Sequence, residues 1–205
     1  MLIERPPRLY RMLFPGAVWR IPRTQKCVYL TFDDGPIPEV TPWVLDLLDQ
    51  YEVKATFFCV GDNARKYPDI YQDILNRGHK TGNHTFNHIQ GLKTLTHNYI
   101  ANIQLATQFI DSKLFRPPHG HIRIPQFWFL KNRFRIIMWD LVTRDYSKKL
   151  DGEQVLQIVK KLARNGSIIV FHDSLKSDKN LRYALPKAIE WLKAEGYNFD
   201  VIPSD

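Results

Sequence analysis

Residues 27–36 read CVYLTFDDGP. The run from Cys27 to Phe32 is β-branched, aromatic or aliphatic throughout and too short for a helix. It predicts a strand buried on both faces, as in parallel sheets covered by helices. The strand ends on two carboxylates and a Gly-Pro turn. In α/β folds ligands gather at the carboxyl ends of strands, so Asp33 and Asp34 stand where chemistry is done. Successive strand residues point to opposite sides, so the two can serve different partners. Two uncompensated carboxylates this close would repel, and one would keep its proton. A metal ion removes that conflict; an Asp-Gly turn with a capping Asp is the plain alternative.

Outward from this segment, short apolar runs at 55–60, 79–83, 113–116, 134–141, 167–172 and 198–202 predict further strands. Helical patterns lie between them. Thr41 is read as an N-cap with Pro42 at the first helical position. Pro68 opens a second helix that stops at Gly78, and a third covers 96–111. Asp151 and Gln154 form a capping box before Val155, Leu156 and Val159. The last helix covers 179–195. Seven strands alternating with helices predict right-handed βαβ units in one α/β domain. The periodicity leaves an open doubly wound sheet and a barrel equally available.

At 205 residues, 44% hydrophobic and 13% aromatic, the chain can bury a full core, and disorder is excluded. Two cysteines exclude a disulfide framework and a four-cysteine zinc module. The net charge of +8 is unevenly placed. Residues 1–26 carry six basic side chains against one acid, and residues 113–149 nine against two. Such patches suit solubility or an anionic partner, a membrane surface or an anionic glycan. No RNA-binding motif or zinc-finger spacing is present, so no nucleic-acid partner is expected. The apolar stretch Met12–Trp19 is interrupted by Pro15 and Gly16 and does not read as a signal peptide. The expectation is a cytoplasmic protein, peripheral at the inner membrane face if the basic arm meets anionic lipid; the oligomeric state is not readable.

Four more segments carry chemical groups. His84-Thr85-Phe86-Asn87-His88 places two imidazoles four residues apart, about 5–6 Å between Cβ atoms on one side of a helical turn. With Asp34 they make an Asp-His-His set with open positions, suited to zinc, cobalt, nickel or iron. Phe115-Arg116-Pro117-Pro118-His119-Gly120 offers an arginine able to grip a carboxylate. Met138-Trp139-Asp140 and Thr143-Arg144-Asp145-Tyr146 are read at the end of the fifth strand. Val170-Phe171-His172-Asp173 ends the sixth with a candidate acid/base.

Together these segments resemble the five motifs of the NodB-homology polysaccharide deacetylases, carbohydrate esterase family four, over about 27–173. The resemblance implies a distorted, TIM-like (β/α)7 barrel as a single catalytic domain over 27–205. Since a barrel bottom needs an apolar lid, the basic arm 1–26 is expected to cover the barrel's N-terminal end and to bury Phe14 and Trp19. The resemblance also implies metal-dependent removal of N-acetyl groups from amino sugars. By resemblance Asp33 is the catalytic base, oriented by Arg116. Asp34, His84 and His88 hold a divalent metal, zinc first, with cobalt or nickel as substitutes. His172, held by Asp145, is the general acid. His119, Tyr146, Val170 and Trp139 are the candidate substrate-binding residues. Three of these depart from the family's usual residue: His119 stands for an aromatic, Tyr146 for Trp and Val170 for Leu. The sugar is not readable, and a catalytically silent carbohydrate-binding relative is the competing reading.

Overall fold

The structure, a computed structural model, describes residues 4–204. The long strand β1 (Cys27–Asp33) is central. Around it stand β2 (Thr56–Cys59), β3 (Lys80–Asn83), β4 (Leu114–Phe115), β5 (Arg135–Ile136), β6 (Leu141–Val142), β7 (Ser167–His172) and β8 (Asn198–Phe199). These strands pair in parallel in the order β5-β4-β3-β2-β1-β7-β6, with β8 beside the first residues of β1. The expected βα barrel forms, but β5 and β6 are its two ends and do not pair.

Alternation along β1 feeds two cores. Val28, Leu30 and Phe32 enter one with residues of helices α2 (Thr41–Gln50), α7 (Gly152–Leu162) and α8 (Asp178–Ala194). Tyr29 joins Phe58, Phe115, Ile168 and Val170 in the other. Each buried Leu or Phe contributes about 1.5–3 kcal/mol, and both faces of the sheet draw on it.

The parallel register explains why separate segments converge. Asp33 lies beside Phe58 on one side and His172 on the other. Cys59 is level with Asn83, and Asn83 with Phe115. The residues that follow each strand therefore emerge at one end of the sheet.

The predicted strand 134–141 is instead split into β5 and β6, with the chain crossing between the sheet's ends. Backbone pairing explains the break. The Ile137 N–H is taken by Phe115 O and the Met138 N–H by Val18 O, both at 2.8 Å. The carbonyls of Ile137 and Met138 accept from the Arg116 guanidinium at 3.4 and 3.1 Å. Little remains for a straight ladder. The N-terminal residues lie across this gap. Glu4 O accepts from Val142 N–H, Val18 pairs with Ile137, and Ile21 N–H donates to Gly166 O. A short helix α1 (Arg8–Met12) sits in this arm; Phe14 is buried with its ring 5.3 Å from Phe127, and Trp19 is half-buried.

Other differences are local. Thr41 is the first residue of α2 rather than its cap, because its hydroxyl accepts from Ile37 N–H and donates to Asp173. The Asp151–Gln154 capping box of α7 forms as read, with bonds of 2.8 and 3.0 Å. Helix α4 (Pro68–Asn76) matches its pattern, and α5 (Thr96–Ala106) starts as expected but ends five residues before 111, giving way to a turn at 107–109. Helices α3 (Gly61–Lys66) and α6 (Ile124–Leu130) were not read, since one to two turns show no stripe.

Candidate active site and metal centre

The Asp33-Asp34-Gly35 turn needs an unusual backbone. Asp34 has φ +86°, and its carbonyl accepts from the Asn63 side chain at 2.8 Å. A Cβ at Gly35 would lie 1.9 Å from Asp173 Oδ2, so the position admits only glycine. Asp173 is the device that shapes the turn. Its carboxylate accepts from Gly35 N–H at 3.1 Å and from the Thr41 hydroxyl at 2.6 Å.

His84 and His88 meet without the helical turn that their spacing suggested. Thr85 and His88 both have positive φ, and the segment is an irregular loop. Asn83 Oδ1 takes the Thr85 N–H, and Asn102 Oδ1 takes those of Phe86 and Asn87. His84 Nδ1 donates to Arg116 O at 2.8 Å. That bond sets the tautomer and leaves Nε2 as a bare lone pair. Burial pushes the His84 imidazole down to about 4, so it is neutral, the ligand form.

Nε2 of His84 is 3.8 Å from Asp34 Oδ1, and Nε2 of His88 is 3.0 Å from it. One ligand atom from each of these three residues fits within 4.8 Å of the others. Asp34 Oδ1 is buried with no hydrogen-bond partner. Burial alone would raise the Asp34 carboxyl, but His88 and His172 outweigh it and hold it below the usual carboxylate range. A buried, ionised oxygen without a donor, facing two imidazole nitrogens, fits a divalent cation.

Proton-handling pairs flank this cluster. Arg116, fully buried, places Nη1 2.6 Å from Asp33 Oδ1 and 2.8 Å from Thr31 Oγ1, with the guanidinium 4.0 Å from the Phe58 ring centre. The grip on Asp33 is through one nitrogen, because Nη2 is occupied by the Met138 carbonyl. On the other side, Asp145 gives both oxygens to one residue: Oδ1 to His172 Nδ1 and Oδ2 to His172 N–H, each at 2.8 Å. Burial lowers the His172 imidazole, but Asp145, with Asp34 and Asp33, more than reverses this and raises it to about 9. Its Nδ1 is fixed by Asp145, and it holds a proton at neutral pH.

The pocket walls are Trp139, Tyr146, Val170 and His119, with Val142, Ser174 and Lys176, which sequence reading did not single out. The Tyr146 ring stands edge-on to His172 at 4.9 Å, and His119 to His88 at 4.9 Å. Trp139 Nε1 is a second buried polar atom of the pocket without a partner. Asp140 lies elsewhere. It stands at the start of β6, at the opposite end of the sheet, where Arg164, Arg11, Arg5 and Ser167 donate to its carboxylate. Asp173 was visible only as the neighbour of His172; its role follows from contact with Gly35, 138 residues away.

A metal-competent cluster between a carboxylate and a protonated imidazole is what a hydrolase needs to add water to an amide. The sequence profile of the family described as polysaccharide deacetylase matches residues 20–131. A peptidoglycan-N-acetylglucosamine deacetylase of Bacillus cereus is 34% identical over 191 residues, 89% of this chain and 89% of the relative. A chitooligosaccharide deacetylase of Azorhizobium caulinodans is 30% identical over 92% of this chain and 98% of its own. A crystal structure of a peptidoglycan N-acetylglucosamine deacetylase, in complex with a naphthyl N-hydroxybenzamide, superposes with a TM-score of 0.85 at 33% identity, over 97% of this chain and 96% of that one. The chain belongs to the polysaccharide deacetylase family. It is a carbohydrate N-deacetylase, a hydrolase.

Proposed function

We propose that this deacetylase removes the N-acetyl group from N-acetylglucosamine units of peptidoglycan or of a glycan precursor, with zinc held by Asp34, His84 and His88. The observation that carries the metal reading is the partnerless Asp34 Oδ1 between two imidazole nitrogens. Zinc supplies a Lewis acid for the acetamide carbonyl and makes a water easier to deprotonate. Asp33, oriented by Arg116, takes the proton of the attacking water. The backbone N–H of His119 faces the oxyanion that forms. His172, charged by its Asp145 partner, gives its proton to the departing amine as the C–N bond breaks. The products are acetate and a free amino sugar. Val170 and Tyr146 flank the acetyl group and the sugar, and Trp139 Nε1 is a free donor for a substrate oxygen. The complete set of groups favours this over a silent sugar binder. The test is acetate release from chitotetraose and from muropeptides, its loss on chelation and its return with zinc. Sugar binding with no acetate under any metal would leave only the silent binder.

We propose further that the arm lies against the inner membrane face, which suits the glycan-precursor substrate. Of the arm's arginines, Arg5 and Arg11 are engaged with Asp140, and Arg23 with Tyr29 and Asp200. Arg8 and Arg20 remain exposed, as do Leu9, Met12 and Leu13. A contact through α1 is therefore mainly apolar, with Arg8, exposed and unpaired among the described residues, as its charge. Sedimentation with anionic and neutral vesicles checks it, and equal binding to both removes the charge component.

A further inference from the structure

Beside the catalytic pocket lies a second, more open hollow lined by Ser147, Lys148, Lys149, Lys179 and Asn180, with one carboxylate, Asp151, in its wall. Lys176 borders both. The two are also continuous along the chain: Tyr146 walls the pocket, and Ser147, about 3.8 Å further by Cα, walls the hollow. We propose that this lysine rim binds a phosphate or diphosphate group carried by the substrate, next to the sugar whose acetamide enters the pocket. The proposal rests on the deacetylase reading and names the substrate's second recognised group.

Four observations support it. First, Lys148, Lys149, Lys176 and Lys179 are all exposed, and among the described residues none of them has an ion-pair partner. Second, the two nearby acids are both held in other contacts, and the lysines outnumber the one that lines the hollow, Asp151. Asp151 accepts the Gln154 N–H to cap α7, and Asp178 pairs with Arg182 at 2.7 Å. Third, the rim is pinned. The buried Asn180 side chain donates to the carbonyls of Asp145 and Leu150, both at 3.0 Å, tying the 145–150 loop to α8. The same loop carries Asp145, so the rim and the general acid share one support. Fourth, four clustered like charges repel unless an anion meets them. Lysine binds phosphate as a point charge. Four lysines against Asp151 leave three positive charges; a diphosphate diester offsets two of them and a single carboxylate only one.

The test uses the zinc-loaded enzyme and a Lys148→Gln/Lys149→Gln/Lys179→Gln variant. Lys176 is kept because it borders the catalytic pocket. Substrates are neutral chitotetraose, a carboxylate-bearing muropeptide, and N-acetylglucosamine bearing a diphosphate at C1, as a nucleotide sugar and as a short polyprenyl diphosphate. The KM of the diphosphate sugars relative to chitotetraose should rise at least tenfold in the variant, and the difference should fade in 0.5 M salt as screening grows. A preference for one of the two diphosphate sugars identifies its source. Calorimetry with inorganic diphosphate reads the rim without turnover: binding in the wild type and at least tenfold weaker binding in the variant are expected. Equal diphosphate binding in both proteins overturns the proposal. So does a KM change shared by chitotetraose, or one confined to the muropeptide. No acetate from any substrate would instead sink the deacetylase reading and leave the calorimetric result to decide the rim.

Discussion

Two carboxylates at opposite ends of the sheet, Asp140 fully buried and Asp34 with one oxygen buried, divide the molecule's polar chemistry. Asp140 is fully buried and saturated: Arg164 donates at 2.9 and 2.6 Å, Ser167 at 2.8 Å, Arg11 at 3.2 Å and Arg5 at 3.4 Å. Asp34 is the reverse. It is crowded by imidazoles, strained in its backbone, and its Oδ1 has no donor. A saturated carboxylate closes a structure, tying the arm to β7 and to Arg164 ahead of it. An unsaturated one stores an unmet requirement that only a ligand fulfils. Charge alone does not separate the two; the count of donors does.

Breaking the unsaturated end should give the largest effects. Asp33→Asn is expected to keep the metal and lower kcat by roughly 10²–10⁴, the usual worth of a general base. Asp34→Asn and His84→Ala should lose metal and turnover together while thermal melts stay near the wild type. Elemental analysis beside acetate kinetics reads both. Undiminished metal in the Asp34 and His84 variants would place the ion elsewhere. At the saturated end the pattern reverses. Asp140→Ala strands three arginines, and breaking a buried ion pair costs about 3–5 kcal/mol. The arginines are partly exposed and can rehydrate, so a loss near about 3 kcal/mol in urea unfolding is expected, with kcat retained in the folded fraction.

What could be read beforehand follows this same division. Asp34, His84 and His88 were legible because ligand types recur at close spacing within short segments. β1 and β7 were legible because strands buried on both faces are apolar throughout. The saturated site was not. Arg5 and Arg11 reach Asp140 across 135 and 129 residues, and local pattern holds no trace of such a pairing. The same blindness hid the break between β5 and β6, which depends on Arg116 reaching into the crossing from another strand. The structure brings His84 and His88 together, rings 5.1 Å apart, but not for the expected reason. Asparagine side chains, not a helical turn, bend that loop.

His79 adds a titrating group to the structural class. It precedes β3, is 3% exposed, accepts the Ala55 N–H on Nδ1 at 3.2 Å, and leaves Nε2 unpartnered. Burial first, then Lys54, lowers its pKa to about 4 from 6.5. The unfolded chain therefore takes up this proton first on acidification. The stability tied to neutral His79 is complete above about 6.5 and is lost as pH falls toward 4, by up to about 3 kcal/mol. His79→Asn places Oδ1 where Nδ1 stood and keeps the acceptor for Ala55. Its stability should fall less steeply between pH 6.5 and 4 in parallel urea titrations. Identical slopes would assign the acid sensitivity to other groups.

The smallest effect is expected at His119, where the two classes touch. Its side chain departs from the family's usual aromatic, yet the role assigned to it belongs to the backbone N–H. Its φ of +59° places it in a turn that few side chains favour, so the turn and not the imidazole is the functional feature. Burial, followed by His88 and His121, pushes the ring down to about 4, so at neutral pH it carries no charge for the oxyanion. His119→Tyr and His119→Ala should both keep kcat within about fivefold, because removing a true oxyanion donor costs roughly 10²–10³. KM should shift more than kcat, since the ring lines the pocket. A 10²-fold loss of kcat in His119→Ala, with metal content unchanged and partial recovery in His119→Tyr, would mean that the side chain itself stabilises the transition state and that the backbone assignment is wrong.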